Sequence, residues 1–230
     1  GLTIGLFLYI LITQYINYET GYDRDVSSNV YRCYIEEYAN GELERTKRYL
    51  WLPFGNEVKQ TIPSVKDYLN LFEYTNSTIT TKNGDSFFED YLISADTSII
   101  HMFSLKIIKG STNDVYNKCI ISNSIATKYF GKEDPIGKIL KWKTHYWERD
   151  IMVSGVFEDR ISNTHRKLDI ICFSMGNLHF GDTYYNNWGF RIAIFPTYFE
   201  LEENADVASI EEQFKRIVKE KVIIKDGENS

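Results

Sequence analysis

Cysteine, proline and histidine are scarce in this sequence, at three, four and four residues out of 230. Cys33, Cys119 and Cys172 are too few and too far apart for a disulfide framework or a zinc ribbon. Cys119 and Cys172 each stand in an apolar, strand-like run, where a free thiol behaves as a small hydrophobe. One cysteine pair can still form if the compartment is oxidising. His101, His145, His165 and His179 are scattered, and none belongs to an H-x-x-x-H or H-E-x-x-H pattern, which argues against zinc ligation. There is no G-x-S-x-G elbow and no C-x-x-C. Excess positive charge is also missing, since 26 Lys and Arg face 32 Asp and Glu for a net charge of −6. That balance disfavours nucleic acid and anionic membrane surfaces, both of which need a basic face. The few prolines stand beside 17 Tyr and 14 Phe, a composition suited to β-rich, aromatic-lined structure.

What the sequence does contain begins at residue 1. The run GLTIGLFLYILITQYI carries eleven large apolar or aromatic side chains and no charge. They point all round a helical wheel, so no face is left for water. Leaving each exposed costs roughly 1.5 kcal/mol or more, so something must cover the segment. Sixteen helical residues reach only about 24 Å against a hydrocarbon core of about 30 Å. The chain starts inside the run, and the expectation is the outer part of a transmembrane helix. A buried core helix and a signal-peptide apolar region are the competing readings; the second lacks a small-residue cleavage site. Tyr15, Tyr18 and Tyr22 suit an interfacial aromatic belt, and Glu19, Asp23 and Asp25 against Arg24 give no cytoplasmic-type excess of Lys and Arg.

Further along, Val30–Tyr38 reads as a strand, Asn40-Gly41 as a hairpin turn and Leu43–Leu50 as its partner. Pro53 suits the first turn of a helix that carries Phe54, Val58 and Ile62 inward, and Pro63 stops it. Val65–Tyr74 is the next strand. Asn76–Asp85 is polar and turn-rich, a boundary or hairpin, and its Asn76-Ser77-Thr78 triplet is read as loop. Phe87–Ala95 reads as one strand, with Asp96 capping a short helix that bears Ile99, Ile100, Met102 and Phe103. Asp150–Phe157, Leu168–Phe173 and Ile192–Leu201 read as strands. Asp206, or Ser209 with Glu212 as a capping box, opens a last helix whose stripe is Val207, Ile210, Phe214, Ile217 and Val218. Adjacent acids such as Glu36-Glu37, Glu202-Glu203 and Glu211-Glu212 are read as solvated surface, because neighbouring residues of a strand face opposite ways.

The stretch that organises the chain is Lys118–Lys141. A short apolar run, Cys119–Ile121, is followed by Ser122 or Asn123 as a helix cap, then by Ile125, Ala126, Tyr129 and Phe130 at helical spacing. Gly131 supplies the C-terminal stop, and Asp134-Pro135 with Gly137 turns the chain into the strand Lys138–Trp142. The glycines superficially suggest a phosphate-binding P-loop. Five residues rather than four separate them, however, one is Pro and one is Asp, and Ile139 follows the lysine, so ATP binding is rejected.

IISNSIATKYFGKEDPIGKIL, with its Phe-Gly and Asp-Pro-Ile-Gly-Lys order, resembles the signature of the MacB-like periplasmic core domain of FtsX-type ABC transporter permeases. The likeness continues in YETGYDRDVSSNVYR, which lacks the family's Phe after Arg24, and in SADTSIIHMFSLKIIKG and Val153-Ser154-Gly155-Val156. It extends to Asn163-Thr164-His165 and Asn186-Asn187-Trp188, and it ends after about Lys221. The resemblance implies an α+β domain: a porter-like mixed αβ lobe (23–75 plus 189–225) with a smaller inserted β-rich lobe (76–188). A partial transmembrane helix and lever (1–22) precedes them. It implies a non-catalytic permease subunit of the inner membrane, with this domain in the periplasm, and four membrane helices of which the chain shows part of one. The implied partners are a separate cytoplasmic ABC ATPase, a second permease in a dimer, and a periplasmic adaptor or a substrate peptide or lipoprotein. No catalytic, cofactor-binding or metal-binding residue is expected. A membrane-anchored ligand-sensing domain, with a deep aromatic-lined pocket, and a secreted or anchored hydrolase, with clustered carboxylates, are the rival classes.

Overall fold

The computed structural model describes residues 2–19, 26–113, 115, 117–145, 147–160, 164, 166–173, 188 and 195–223. The chain opens with helix α1 (Leu2–Glu19). From Ile4 onward its side chains are exposed nearly all round, with Phe7 and Tyr9 61% and 67% exposed. The domain therefore does not cover it, which removes the buried-core-helix reading. No helix among the described residues is long and apolar enough to cross a membrane by itself.

Among the described residues, eleven strands form one mixed sheet and two more form a separate hairpin. The strand expected over Val30–Tyr38 is two strands, β1 (Val30–Arg32) and β2 (Ile35–Ala39), because their partners differ. β1 lies against the last strand, whereas β2 pairs with β3 (Glu42–Lys47) through the Asn40-Gly41 turn, where both residues have positive φ. Helix α2 (Leu52–Thr61) has Pro53 in its first turn and buries Phe54 and Val58, with Ile62 buried at its end. β4 (Val65–Tyr74) matches its expected limits.

The polar run after it contains a full strand, β5 (Ser77–Thr81), ahead of the turn into β6 (Ser86–Glu89). Here alternation prevails over composition: Ser77, Ile79 and Thr81 point inward, and Ser77 finds a buried hydrogen-bond partner. The expected Phe87–Ala95 strand breaks at Asp90-Tyr91, where the chain leaves β5 and joins β4 as β7 (Leu92–Ala95). Helix α3 (Ser98–Met102) begins at Thr97, not Asp96, and no side chain caps it. β8 (Ile107–Gly110), β9 (Lys118–Ser122), α4 (Asn123–Phe130), β10 (Ile139–Lys143), β11 (Glu148–Phe157), β12 (Ile170–Phe173) and β13 (Thr197–Leu201) follow. Helix α5 (Val207–Val218) is capped by Asp206, whose side chain accepts from the Ser209 amide at 3.3 Å. It buries Ile210 and Ile217, whereas Val207 is exposed.

The sheet runs β1-β13-β4-β7-β12-β9-β11-β10-β5-β6, with β8 also on β11. Among the described residues only the β7–β12 and β9–β11 pairs are parallel. β9 and β12 are covered on both faces, so they read as unbroken apolar runs. Cys119, Ile121, Ile170 and Cys172 enter one core with Trp142 and Tyr129, while Ile120, Ile171 and Phe173 enter another with Leu69 and Phe157. A third core lies under α2 and α5, around Phe54, Val58, Phe199 and Ile210.

Candidate functional site

The Lys118–Lys141 stretch folds as strand, helix, turn and strand, and each signature residue has a structural task. Ser122 Oγ accepts from the Ile125 amide at 3.3 Å, and the Asp159 carboxylate accepts from the Ser124 amide and hydroxyl at 2.9 and 2.8 Å. These bonds satisfy donors that a helix start leaves orphaned. Tyr129 donates to the buried Glu89 carboxylate at 2.5 Å, and Lys128 reaches the same oxygen at 2.6 Å. Burial and the Glu89 carboxylate push the Tyr129 hydroxyl well up from its ordinary range. Phe87 stacks on Tyr129 at 4.4 Å, so α4 is clamped onto β6 by charge and ring together.

The turn that follows has engaged five of its amides. Gly131 donates to Thr127 O, Glu133 to Phe130 O, Gly137 to Val153 O and Lys138 to Pro135 O, all between 2.8 and 3.1 Å. The Ile136 amide is bound by Asp134 Oδ1 at 3.0 Å. None of these five amides is left to cradle a phosphate, which is the physical reason the P-loop likeness fails. Lys109 pairs with Asp134 at 3.0 Å and ties the turn to β8. Backbone and hydrogen bonds together hold the Asp134 carboxyl below its ordinary range.

Two cavities lie on the sheet, and only the larger borders this framework. The larger, about 650 Å³, lies beside the turn and carries Lys82, Lys138 and Lys141 as well as Glu133 and Asp150. The smaller, about 340 Å³, lies over the paired strands β1 and β13 and is lined by Arg32, Arg166, Phe103 and Tyr198. Arg32 sits over the rings of Tyr34 and Tyr198 at 5.1 and 5.9 Å, and Arg166 pairs with Glu73. The larger cavity's mixed charges differ from the deep aromatic pocket that a ligand-sensing domain calls for.

A cluster that sequence reasoning missed lies on β4 and β13. Asp67 and Glu200 are register partners, so two carboxylates stand directly opposite each other. His101 Nε2, from α3, lies 3.5 Å from Asp67 and 3.0 Å from Glu200. Lys59 pairs with Asp67 at 2.5 Å and Lys66 with Glu200 at 3.0 Å, while Ser98 donates to Asp67 at 2.5 Å. Partial burial works to raise the Asp67 carboxyl, but the Lys59 ammonium, the Ser98 hydroxyl and the Tyr68 amide outweigh it and hold the carboxyl below its ordinary range. Its signal in sequence is only three polar positions, 34 to 133 residues apart. Among the described residues no group of His, Cys, Asp and Glu is arranged to hold a metal ion.

Of the other residues singled out, His145 is exposed, Glu36 accepts from Tyr38, and Glu37 pairs with Lys47 on the opposite face of the hairpin. Trp188 packs edge-on against Phe54 at 6.3 Å. His165, His179, Asn163, Asn186, Asn187, Tyr22, Asp23, Arg24, Asp25 and Ile192 lie outside the described residues, while Thr164 donates to Arg166 O at 3.0 Å.

Asp96 makes a testable case beside that cluster. Burial pushes its carboxyl up to about 6, the Asn70 amide opposes the shift and Asp67 adds to it. A carboxyl raised above its ordinary 3.8 contributes stability below that value and loses it as pH rises through about 6. Asp96→Asn mimics the protonated form. It is expected to stabilise the chain by about 1–2 kcal/mol near pH 7.5 and by nothing near pH 4. Thermal unfolding at both pH values checks this, and equal effects at the two would contradict it.

No curated protein matches the chain. Among solved structures, a domain of a protein described as a permease from Porphyromonas gingivalis aligns with TM-score 0.68 at 19% identity, over 84% of each chain. The periplasmic region of MacB from Actinobacillus actinomycetemcomitans aligns with TM-score 0.58 at 15% identity, over 90% of this chain and 96% of that one. The extracellular domain of the ABC-type transporter YknZ from Gram-positive bacteria gives 0.55 at 17%, over 84% and 94%. At these identities the structures establish a shared fold. The model of one family spans residues 1–217. With its mixed sheet, its capped α4 and its Asp-Pro-Ile-Gly turn, this chain belongs to the family of MacB-like periplasmic core domains.

Proposed function

We propose that the chain is the extracytoplasmic part of an ABC transporter permease subunit, without catalytic residues of its own, that moves in response to ATP hydrolysis by a separate cytoplasmic ATPase. The observation that carries this reading is α1, an apolar helix whose one charged residue is Glu19 at its end and which is left bare on nearly every side. Lipid is the environment that removes the cost of such exposure. Its 18 residues reach about 27 Å, close to the roughly 30 Å of a hydrocarbon core, so lipid can cover most of its length. The permease works as a dimer in the inner membrane, with this domain on the periplasmic side, where it meets an adaptor or a substrate peptide or lipoprotein. The domain divides into a porter-like lobe (23–75 plus 189–225) and an inserted lobe (76–188). The separate core under α2 and α5 supports that division.

In this reading α1 is a stiff lever, continuous to about residue 22. Asn17→Pro removes a backbone donor and clashes with the preceding turn, at a cost of about 3 kcal/mol to the helix. In the full-length permease with its ATPase, nitroxides on Asn40→Cys in a Cys33→Ser background are expected to report a nucleotide-dependent distance change. Asn17→Pro abolishes it at an unchanged rate of ATP hydrolysis, and Asn17→Ala keeps it. A nucleotide response that survives the proline, or unprotected amides over residues 16–22 by hydrogen exchange, overturns the lever.

A further inference from the structure

We propose that Cys119 and Cys172 are joined by a cross-strand disulfide when the chain folds in an oxidising compartment. The two are register partners on the antiparallel strands β9 and β12. Their pairing is of the non-hydrogen-bonded kind. Ser122 N donates to Asp169 O three residues along, so by alternation the bonded pairs fall at 122–169, 120–171 and 118–173, and 119–172 is the non-bonded pair between the last two. The Cys119 carbonyl points the other way and accepts from Ser154 Oγ on β11 at 3.2 Å. Non-hydrogen-bonded partners stand about 4.5 Å apart at Cα, inside the roughly 4.4–6.8 Å range of disulfides. Both side chains enter the same core, and both are fully buried. Burial, together with a hydrogen bond from one thiol to the other, raises the Cys172 thiol well above its ordinary range. The completed sheet thus holds the sulfurs as unreactive thiols, so oxidation belongs to folding, before β9 and β12 are covered.

The step balances through a disulfide donor, either oxidised glutathione or a dithiol–disulfide oxidase. One cysteine thiolate attacks the donor disulfide to form a mixed disulfide and release one donor thiol. The second cysteine thiolate then displaces the other, so the two thiol protons and two electrons end on the reduced donor. Cys33 does not compete, since it packs against the core under α2 and α5.

This inference rests on the extracytoplasmic reading for its occurrence in cells, so chemistry and compartment are tested apart. The reduced, denatured chain is refolded in a buffer of oxidised and reduced glutathione, then denatured and alkylated. One alkylated thiol, mapped to Cys33, with a mass lower by two hydrogens, is the expected result. Reduction is expected to lower Tm by roughly 5–15 °C, because the bond closes a loop of about fifty residues. Three alkylated thiols, or a bond that consumes Cys33, overturns the proposal. Alkaline phosphatase fused directly after residue 217 of the permease, ahead of any later span, reads this domain's compartment in cells independently, and its failure leaves the refolding result standing.

Discussion

Trp142→Ala is expected to lower unfolding stability by about 3–5 kcal/mol. Trp142 lies in β10 with no exposed surface, edge-on to Tyr74 at 4.7 Å and to Trp147 at 4.5 Å. Truncation opens a cavity between rings that are themselves fixed by neighbouring strands, and a stiff site collapses poorly into the space. The indole N–H also donates to Ser77 Oγ at 3.1 Å, and Ser77 is fully buried at the start of β5. Alanine therefore leaves a hydroxyl without its donor as well as a void. Trp142→Phe separates the two contributions, since it refills most of the volume and is expected to cost about half as much. Equilibrium denaturation in urea measures both. A loss below about 1 kcal/mol for alanine contradicts the packing described here.

The second large effect is steric. Gly110 ends β8 at φ 78° and faces Gly155 across the β8–β11 ladder. A Cβ there would lie 2.2 Å from the Ser154 carbonyl oxygen, 2.9 Å from Gly155 Cα and 2.8 Å from the Ile136 tip. Two of these are backbone, so no rotamer relieves them. Gly110→Ala is expected to cost more than about 3 kcal/mol, combining left-handed strain of about 1–2 kcal/mol with detachment of the β8 end. Gly137 has the same φ of 78° with nothing within 4 Å of an added Cβ. Gly137→Ala therefore isolates the strain and is expected to cost only about 1–2 kcal/mol. Equal losses at the two positions would refute the steric account.

Local signals made much of the framework legible. Pro53 marks the start of α2, Ser122 and Asp206 cap α4 and α5, and Asn40-Gly41 turns the first hairpin, because each acts through bonds within a few residues. The limits of β4 and the stripe of α4 follow from apolar periodicity. Reading failed where the partner, not the residue, decides. Val30–Tyr38 and Phe87–Ala95 each carry enough β-forming side chains for one long strand, yet each divides where the chain changes neighbours. Ser77–Thr81 looks like loop by composition and is a strand because Trp142 and β10 lie beside it.

The sequence by itself determined the start of α2, the apolar run at the chain's head, the family signature and the mismatch to a phosphate-binding loop, all matters of short-range chemistry. Only the tertiary structure decided the strand order, the opposition of Cys119 and Cys172, and the meeting of Asp67, His101 and Glu200. The reason is that strand pairing joins residues far apart in the chain. A shift of one residue would turn every side chain to the other face, and that choice is settled by burying both faces of β9 and β12 at once.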